Sequence, residues 1–528
     1  MIASLISIAA LLLSTTSALV TQSLPTEPFL SQVDDQTWII GNELWNLTQG
    51  IQYGVKLFYK NHDCVGDAVG HYVSYNGAAS DLNWVSASVV SQGEYNGTQY
   101  IDVKFTANAG DMHWVIFSGL AGAYQYFVNH ALPSLGEFRT LWRLDNTTFT
   151  KGKTDLRDES LPPLSNFIAA NLVQDSTWLK PDGSGYLTKY DFSTWIRTQT
   201  YYGLYGDGFG SWYINAGKDY YNGNHLKQEL LVHRETNTGD AVQLNMIHGT
   251  HFQVSTVDVF PDGKIWGPWL WYLNDGSKDD ASERAKKEFS EWPYPWLQDE
   301  AYQARGSVSG TLILSDGRPA ANVAVFLGDS ASNKTALDQG SDYYYTSYAD
   351  AEGSFEFKDV RATTYGLQAW SNGSKTGDVT TSFLKHNVTV EAGETTDLKT
   401  LDWKVSEKEK IFQIGDFDRT SYGFQHGGSP YTHGLADKCP GDLIYTVGES
   451  EPQDWCFVQT HLGNWTIVFD AKAPGEKDTA ILIVSLAGYT TGSSSTIWAN
   501  GVKIGNLTSG TPRLLNDGTT YRSATTAD

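Results

Sequence analysis

Apolar and polar residues alternate in short runs from about residue 20 to 275, as in Ile101-Asp-Val103-Lys-Phe105, and Gly- and Asn-rich stretches separate the runs. A period of two puts successive side chains on opposite faces, which predicts half-buried strands rather than helices. Asn96-Gly97 has the residue pair that a two-residue hairpin turn demands. The region therefore reads as one large antiparallel β-sandwich. The clearest helical pattern, Asp279 to Trp292, opens on acidic residues that suit a helix N-terminus and stops before Pro293. Beyond it, Gly306–Gly310, Ala321–Leu327, Gly353–Phe357 and Tyr365–Ala369 read as strands of a small seven-stranded sandwich reaching about residue 403. A charged linker, Ser406–Lys410, leads into a third all-β segment that opens at Ile411, includes Trp465–Phe469 and turns at Asn500-Gly501. Its countable strands are fewer than a jelly roll uses, so this last domain is expected to be partial. The fold class is all-β. The expected boundaries are a leader at 1–18, a large first sandwich at 19–298, a second sandwich at 299–404 and a third domain at 405–528.

The leader carries the apolar run Ile2–Leu13, too short to span a bilayer as a helix, and ends in Thr16-Ser17-Ala18, where small residues precede a plausible cleavage point. It reads as a signal peptide, and the mature chain is expected to be secreted, free of membrane segments and monomeric. Asn-x-Ser/Thr sequons at Asn46, Asn96, Asn146, Asn333, Asn372, Asn387, Asn464 and Asn506 agree with that route. Three cysteines in 528 residues exclude a disulfide scaffold. Cys439 and Cys456 are close enough in sequence to staple one loop, which leaves Cys64 as a buried thiol. A formal charge of −23 argues against nucleic acid as a partner.

Familiar catalytic signatures are missing: there is no nucleophile elbow, no zincin helix, no P-loop and no cysteine set spaced for zinc. No metal or other cofactor is expected. What the chain does have is 13% aromatic residues, 18 of them Trp, on a β scaffold. Such rings stack on the apolar faces of sugars, although sandwich cores are aromatic too. Two stretches are denser than average, Thr188–Gly208 and Lys264–Gly276.

The ordered series TKYDFS, YGLYGDG, GFGSWYI, LKQEL, GTHF and KIWGPWLWYLNDG between Lys189 and Gly276 resembles polysaccharide lyase family 4, the rhamnogalacturonan lyases, of the fungal secreted type. Gly136-Glu-Phe-Arg139-Thr-Leu-Trp-Arg143 matches that family's paired arginines. The resemblance implies a galactose-mutarotase-like sandwich, a fibronectin-type-III-like sandwich and a carbohydrate-binding-like jelly roll, in that order. It also implies endo-acting cleavage of the acidic plant polysaccharide rhamnogalacturonan I by β-elimination, without a cofactor. By motif the catalytic pair falls on Lys189 and His251, and Arg139 and Arg143 stand near the substrate carboxylate. Tyr205, Trp212, Lys227 and Trp266 are expected to contact substrate. One departure is visible: two tyrosines shortly before the histidine in the fungal type are replaced here by Gln243 and Asn245.

The chemistry accounts for these residue types. β-Elimination removes a proton next to a carboxylate, so fixed cations must neutralise the developing dianion. A lysine can act as the base if burial or neighbouring positive charge lowers its pKa from about 10.4 toward 7. Arg139 and Arg143, four apart on a strand, share a face and suit either a carboxylate site or a salt-bridge ladder. His248 competes with His251 for the histidine role. Two other functions fit the same scaffold: a glycoside hydrolase using a pair of the 60 carboxylates, or a carbohydrate-binding protein without chemistry.

Overall fold

The computed structural model describes residues 25–75, 82–133, 137–174, 176–249, 259–331, 339–427, 435–472, 479–485 and 494–508. The expected leader, His251 and Asn333 lie outside the described residues. Two nine-stranded antiparallel sheets form the first domain. In the first sheet, Gly70–Tyr75, Glu137–Leu144, Ala241–Gly249 and Val232–Arg234 are successive neighbours at one end. The second runs from Asp158–Ser160 through Tyr202–Gly206, Phe209–Ile214 and Ile265–Asn274 to Ser86–Tyr95. The Asn96-Gly97 turn joins its last two strands, with both residues at positive φ as the hairpin requires.

Large rings fill the space between the sheets. Trp45 and Trp142 from the first sheet meet Trp114, Trp266, Trp269 and Trp271 from the second, each essentially inaccessible to solvent. Trp142 and Trp271 stack at 4.5 Å. A bulge at Gly267-Pro268 adds a residue to its strand, so Trp266 and Trp269 both face inward although they are three apart. Two of the buried ring N–H groups are tied across the core: Trp269 donates to Gln125 at 2.7 Å and Trp271 to Ser211 at 3.0 Å.

The expected helix occupies Lys278–Glu291, and the Ser277 hydroxyl caps it by accepting the Asp280 N–H at 3.2 Å. Ala281, Ala285 and Glu288 face down onto the second sheet's outer surface. There Glu288, fully buried, is satisfied by Arg284 at 2.7 Å and by the hydroxyls of Tyr124 and Tyr294.

The second domain is a sandwich of a three-stranded and a four-stranded sheet, seven strands as the pattern predicted. It docks on the first through Asp219, which accepts from Arg361 at 2.9 Å and Arg305 at 3.1 Å. Leu226 packs beside this clamp against Ala324, Phe326, Tyr344 and Trp370. In the third segment the described strands are a parallel pair, Leu443–Thr446 with Trp465–Val468, and the hairpin Ser494–Ala499 with Val502–Thr508. Cys439 and Cys456 are disulfide-bonded, and Cys64 is free, with burial pushing its thiol up to about 12. The sequon asparagines in the described residues are exposed at 96, 387, 464 and 506 and partly exposed at 46, 146 and 372.

Candidate active site

The TKYD sequence folds into a tight turn after the strand Tyr186–Thr188. The Thr188 N–H donates to Asp191 at 3.1 Å, the Asp191 N–H returns to the Thr188 carbonyl at 3.2 Å, and the Lys189 N–H donates to Ser176 at 3.0 Å. An acidic residue three positions after a hydroxyl residue is therefore what closes the turn. Tyr190 points down into an apolar cluster with Tyr72, Leu141, Leu230, Val242, Leu244 and Met246. With Tyr190 anchored, Lys189 is left half-buried above the outer face of the first sheet.

That face carries both arginines. Arg139, Leu141 and Arg143 project from the same side of the strand Glu137–Leu144, while Phe138, Trp142 and Leu144 face the inter-sheet core. At about 3.4 Å per residue the two arginines are rooted roughly 14 Å apart, and each has its own anion. Arg139 pairs with Glu137 at 3.2 Å and donates to the Ser74 hydroxyl at 3.3 Å. Arg143 pairs with Glu235 at 3.2 Å and Asp240 at 3.6 Å. They form two stations on one face rather than a single fork.

Glu235 ties Arg143 to the lysine. Its carboxyl is held down at about 2 by His233 first, with Arg143 and Lys189 adding to the effect. The His233 Nε2 lies 3.9 Å from the same Oε2 that meets Arg143. His233, Glu235 and Asp240 are the residues that motif reading missed. The spacing His233-x-Glu235, with Glu235 the first residue past the strand Val232–Arg234, fits an extended chain that puts both on one face, but nothing local indicates that the face belongs to Arg143.

The remaining expected contacts sit elsewhere. Lys227 is fully buried, donating to the Met246 carbonyl at 2.9 Å and pairing with Glu229 at 3.3 Å. Burial lowers the Lys227 pKa and raises that of Glu229 to about 8. Trp266 belongs to the inter-sheet core. Trp212 is also inaccessible, its N–H donating to Asn274 at 2.8 Å. These three side chains have no solvent-facing surface through which to touch a polysaccharide. Tyr205 is partly exposed but stacks on Trp212 on the outer side of the second sheet, away from the arginine face. Gln243 hydrogen-bonds with Ser211 and Asn245 with Tyr221, so both point between the sheets. Positions 244 and 246, Leu and Met, are the ones on the arginine side. His248 is buried against Phe260. Among the described residues no cluster of three or more His, Cys, Asp or Glu side chains is placed to hold a metal, and no helix is long and apolar enough to cross a membrane.

Comparison with known proteins places this geometry in a family. Residues 304–398 match the family model for polysaccharide lyase family 4, domain II, and residues 410–527 match that for domain III. The chain is 33% identical over 439 residues to the rhamnogalacturonate lyase of Dickeya dadantii, covering 80% of this chain and 73% of that one. It is 26% identical over 491 residues to the probable rhamnogalacturonate lyase B of Aspergillus flavus, covering 77% and 71%. Similarity to the rhamnogalacturonate lyase B of Emericella nidulans is 26% over 514 residues, covering 82% and 74%. With one-third identity across most of both chains, and the second and third domains matched by their own models, the protein belongs to polysaccharide lyase family 4, the family of the rhamnogalacturonate lyases.

Proposed function

We propose that this protein cuts the rhamnogalacturonan backbone of pectin by β-elimination, with Lys189 as the base. The observation that carries the reading is the anchored turn: Tyr190 packs with Leu141, Val242 and Met246 on the face from which Arg139 and Arg143 project, so its neighbour Lys189 stands over the arginine-bearing face in a chain of this family. Lys189, unprotonated, takes the proton next to the galacturonate carboxylate. Arg139 and Arg143 meet the negative charge that develops as the carbanion delocalises into that carboxylate. The electron pair then forms the double bond and expels the sugar oxygen on the adjacent carbon. His251 completes the pair by neutralising charge or passing a proton toward the leaving oxygen. The finer reading is a secreted, N-glycosylated, monomeric enzyme of the fungal type that acts within the backbone without a cofactor.

The product decides the reaction class. Elimination leaves an unsaturated uronide that absorbs in the ultraviolet, and hydrolysis does not. Debranched rhamnogalacturonan and homogalacturonan are incubated with the protein side by side. Absorbance is expected from the first substrate only, and it should survive chelation. New reducing ends without absorbance would sink the lyase reading in favour of a hydrolase. No product from either substrate would favour a carbohydrate-binding protein.

A further inference from the structure

Glu235 has more cationic neighbours than one ion pair needs. His233 and Glu235 project from the same side of the edge segment beginning at Val232, two positions apart. In the register, His233 and Arg143 both sit beside Val242, one on each flank. The Glu235 Oε2 is thus 3.2 Å from Arg143 and 3.9 Å from the His233 Nε2, and the turn carrying Lys189 sits over the same face, its Tyr190 packed in one cluster with Val242, the residue between Arg143 and His233. Arg143 also has Asp240 and the Tyr72 phenol. Arg234 faces the other way, donating to the carbonyls of Pro162 and Gly239. On the lysine's own turn, Asp191 is engaged by the Thr188 N–H and by Arg157 at 3.8 Å. Of the groups around Glu235, Arg143 is permanently charged, while His233 and Lys189 can each exchange a proton.

We propose that Glu235 is a shared counter-ion and positioning residue, for which the protonated His233 and the Lys189 ammonium compete, so that His233 helps to set the protonation state of the catalytic lysine. This rests on the reading of Lys189 as the base. When His233 carries its proton, Glu235 is already neutralised, and the lysine loses part of what would hold its own proton. When His233 is neutral, Glu235 stabilises the ammonium. Charge at the site is conserved by exchanging one cation for another, and neither His233 nor Glu235 needs to touch substrate.

Opposite shifts distinguish this from a structural role. In pH profiles of kcat/KM, the acid limb reports the base of the free enzyme. Glu235→Gln removes the anion, so the limb should move to lower pH by about one unit. His233→Asn removes the competing cation, so the limb should move to higher pH, by about half a unit. Both variants should also be followed by NMR with ring-labelled histidine, the His233 signal being assigned from its loss in His233→Asn. Its titration should fall to lower pH in Glu235→Gln. Limbs that stay put, or that move in the same direction, overturn the proposal even if kcat drops. Should Glu235→Gln misfold, the His233→Asn limb decides alone. If wild-type protein makes no unsaturated product at all, the lyase reading fails, while the imidazole titration still tells whether Glu235 is shared.

Discussion

Asp219 and Glu235 are both carboxylates set among basic side chains, yet their surroundings differ in two respects. Asp219 lies at the junction of the first two domains, where it and its partners Arg305 and Arg361 have side chains at most 7% exposed. Both partners keep their charge at any working pH, so the clamp has a single state, and the arginines hold the Asp219 carboxyl below its usual range against burial. Glu235 is 15% exposed and its partner Arg143 21%, on a face that solvent reaches, and two of its three basic neighbours titrate. The same electrostatic motif is a lock when its partners are fixed and buried, and an adjustable site when they exchange protons.

The largest effect that would test this contrast is on the site side. Lys189→Ala should lower the rate of unsaturated-product formation by at least about a thousandfold, roughly the upper range for losing a general base. Because Lys189 is half-buried and its turn is held by Thr188 and Asp191, the melting temperature should barely move. A variant that melts much earlier would mean that Lys189 is structural. At the junction the reverse is expected. Asp219→Asn leaves two buried guanidiniums short of an anion and should cost about 3–5 kcal/mol in denaturant unfolding, with activity per folded molecule retained. If activity falls in step with Lys189→Ala while stability holds, the division between lock and site is wrong.

A smaller effect separates the two carboxylates by pH. Glu235 has a folded pKa of about 2 against an ordinary value of 4.5. A depressed carboxyl contributes stability that is complete above about 4.5 and is lost as pH falls toward 2. With solvent screening at this face, the contribution should be about 1–2 kcal/mol. Urea unfolding of Glu235→Gln at pH 7 and pH 3 should show that deficit at the higher pH and much less at the lower. An equal deficit at both would show that the loss comes from packing instead of charge.

The fold was largely legible because its signals are local. Alternation located the strands, Asn96-Gly97 and Asn500-Gly501 marked real hairpins, and the acidic start before Trp292 located the helix. Facing was not legible. Gly110–Phe117 and Ile265–Asn274 are almost wholly buried on both sides, because the helix and its aromatic neighbours cover the second sheet's outer surface. Where both faces are covered, alternation no longer tells core from surface. Hence Trp266 and Trp212 looked like sugar platforms although neither is accessible. Lys227 sat in a motif whose lysine turns out to be buried with Glu229. The arginine face was half legible: period two gave Arg139 and Arg143 a common side, but Glu235 and Asp240 come from a segment far along the chain that only the sheet order brings near.

The junction has its own exception, and it supplies the smallest of these tests. Lys264 is buried there, its ammonium 2.5 Å from the Gly340 carbonyl and ringed by Phe260, Trp266, Tyr343 and Tyr344. Burial lowers its pKa from 10.5 to about 7, against the opposing pull of Asp329 and Asp342. Between those two values the unfolded chain binds the proton more tightly than the folded one, so stability should rise as pH climbs from about 7 toward 10. Lys264→Met keeps the stem among the rings and removes the titrating group. At pH 7 it should change stability by no more than about 1 kcal/mol, since apolar replacement of a buried charge is often neutral or favourable. From pH 7 to 9, wild-type protein should gain stability relative to the variant. If the two curves run parallel, Lys264 keeps one protonation state across that range, and the junction is a single-state lock throughout, with Glu235 left as the adjustable partner in the comparison.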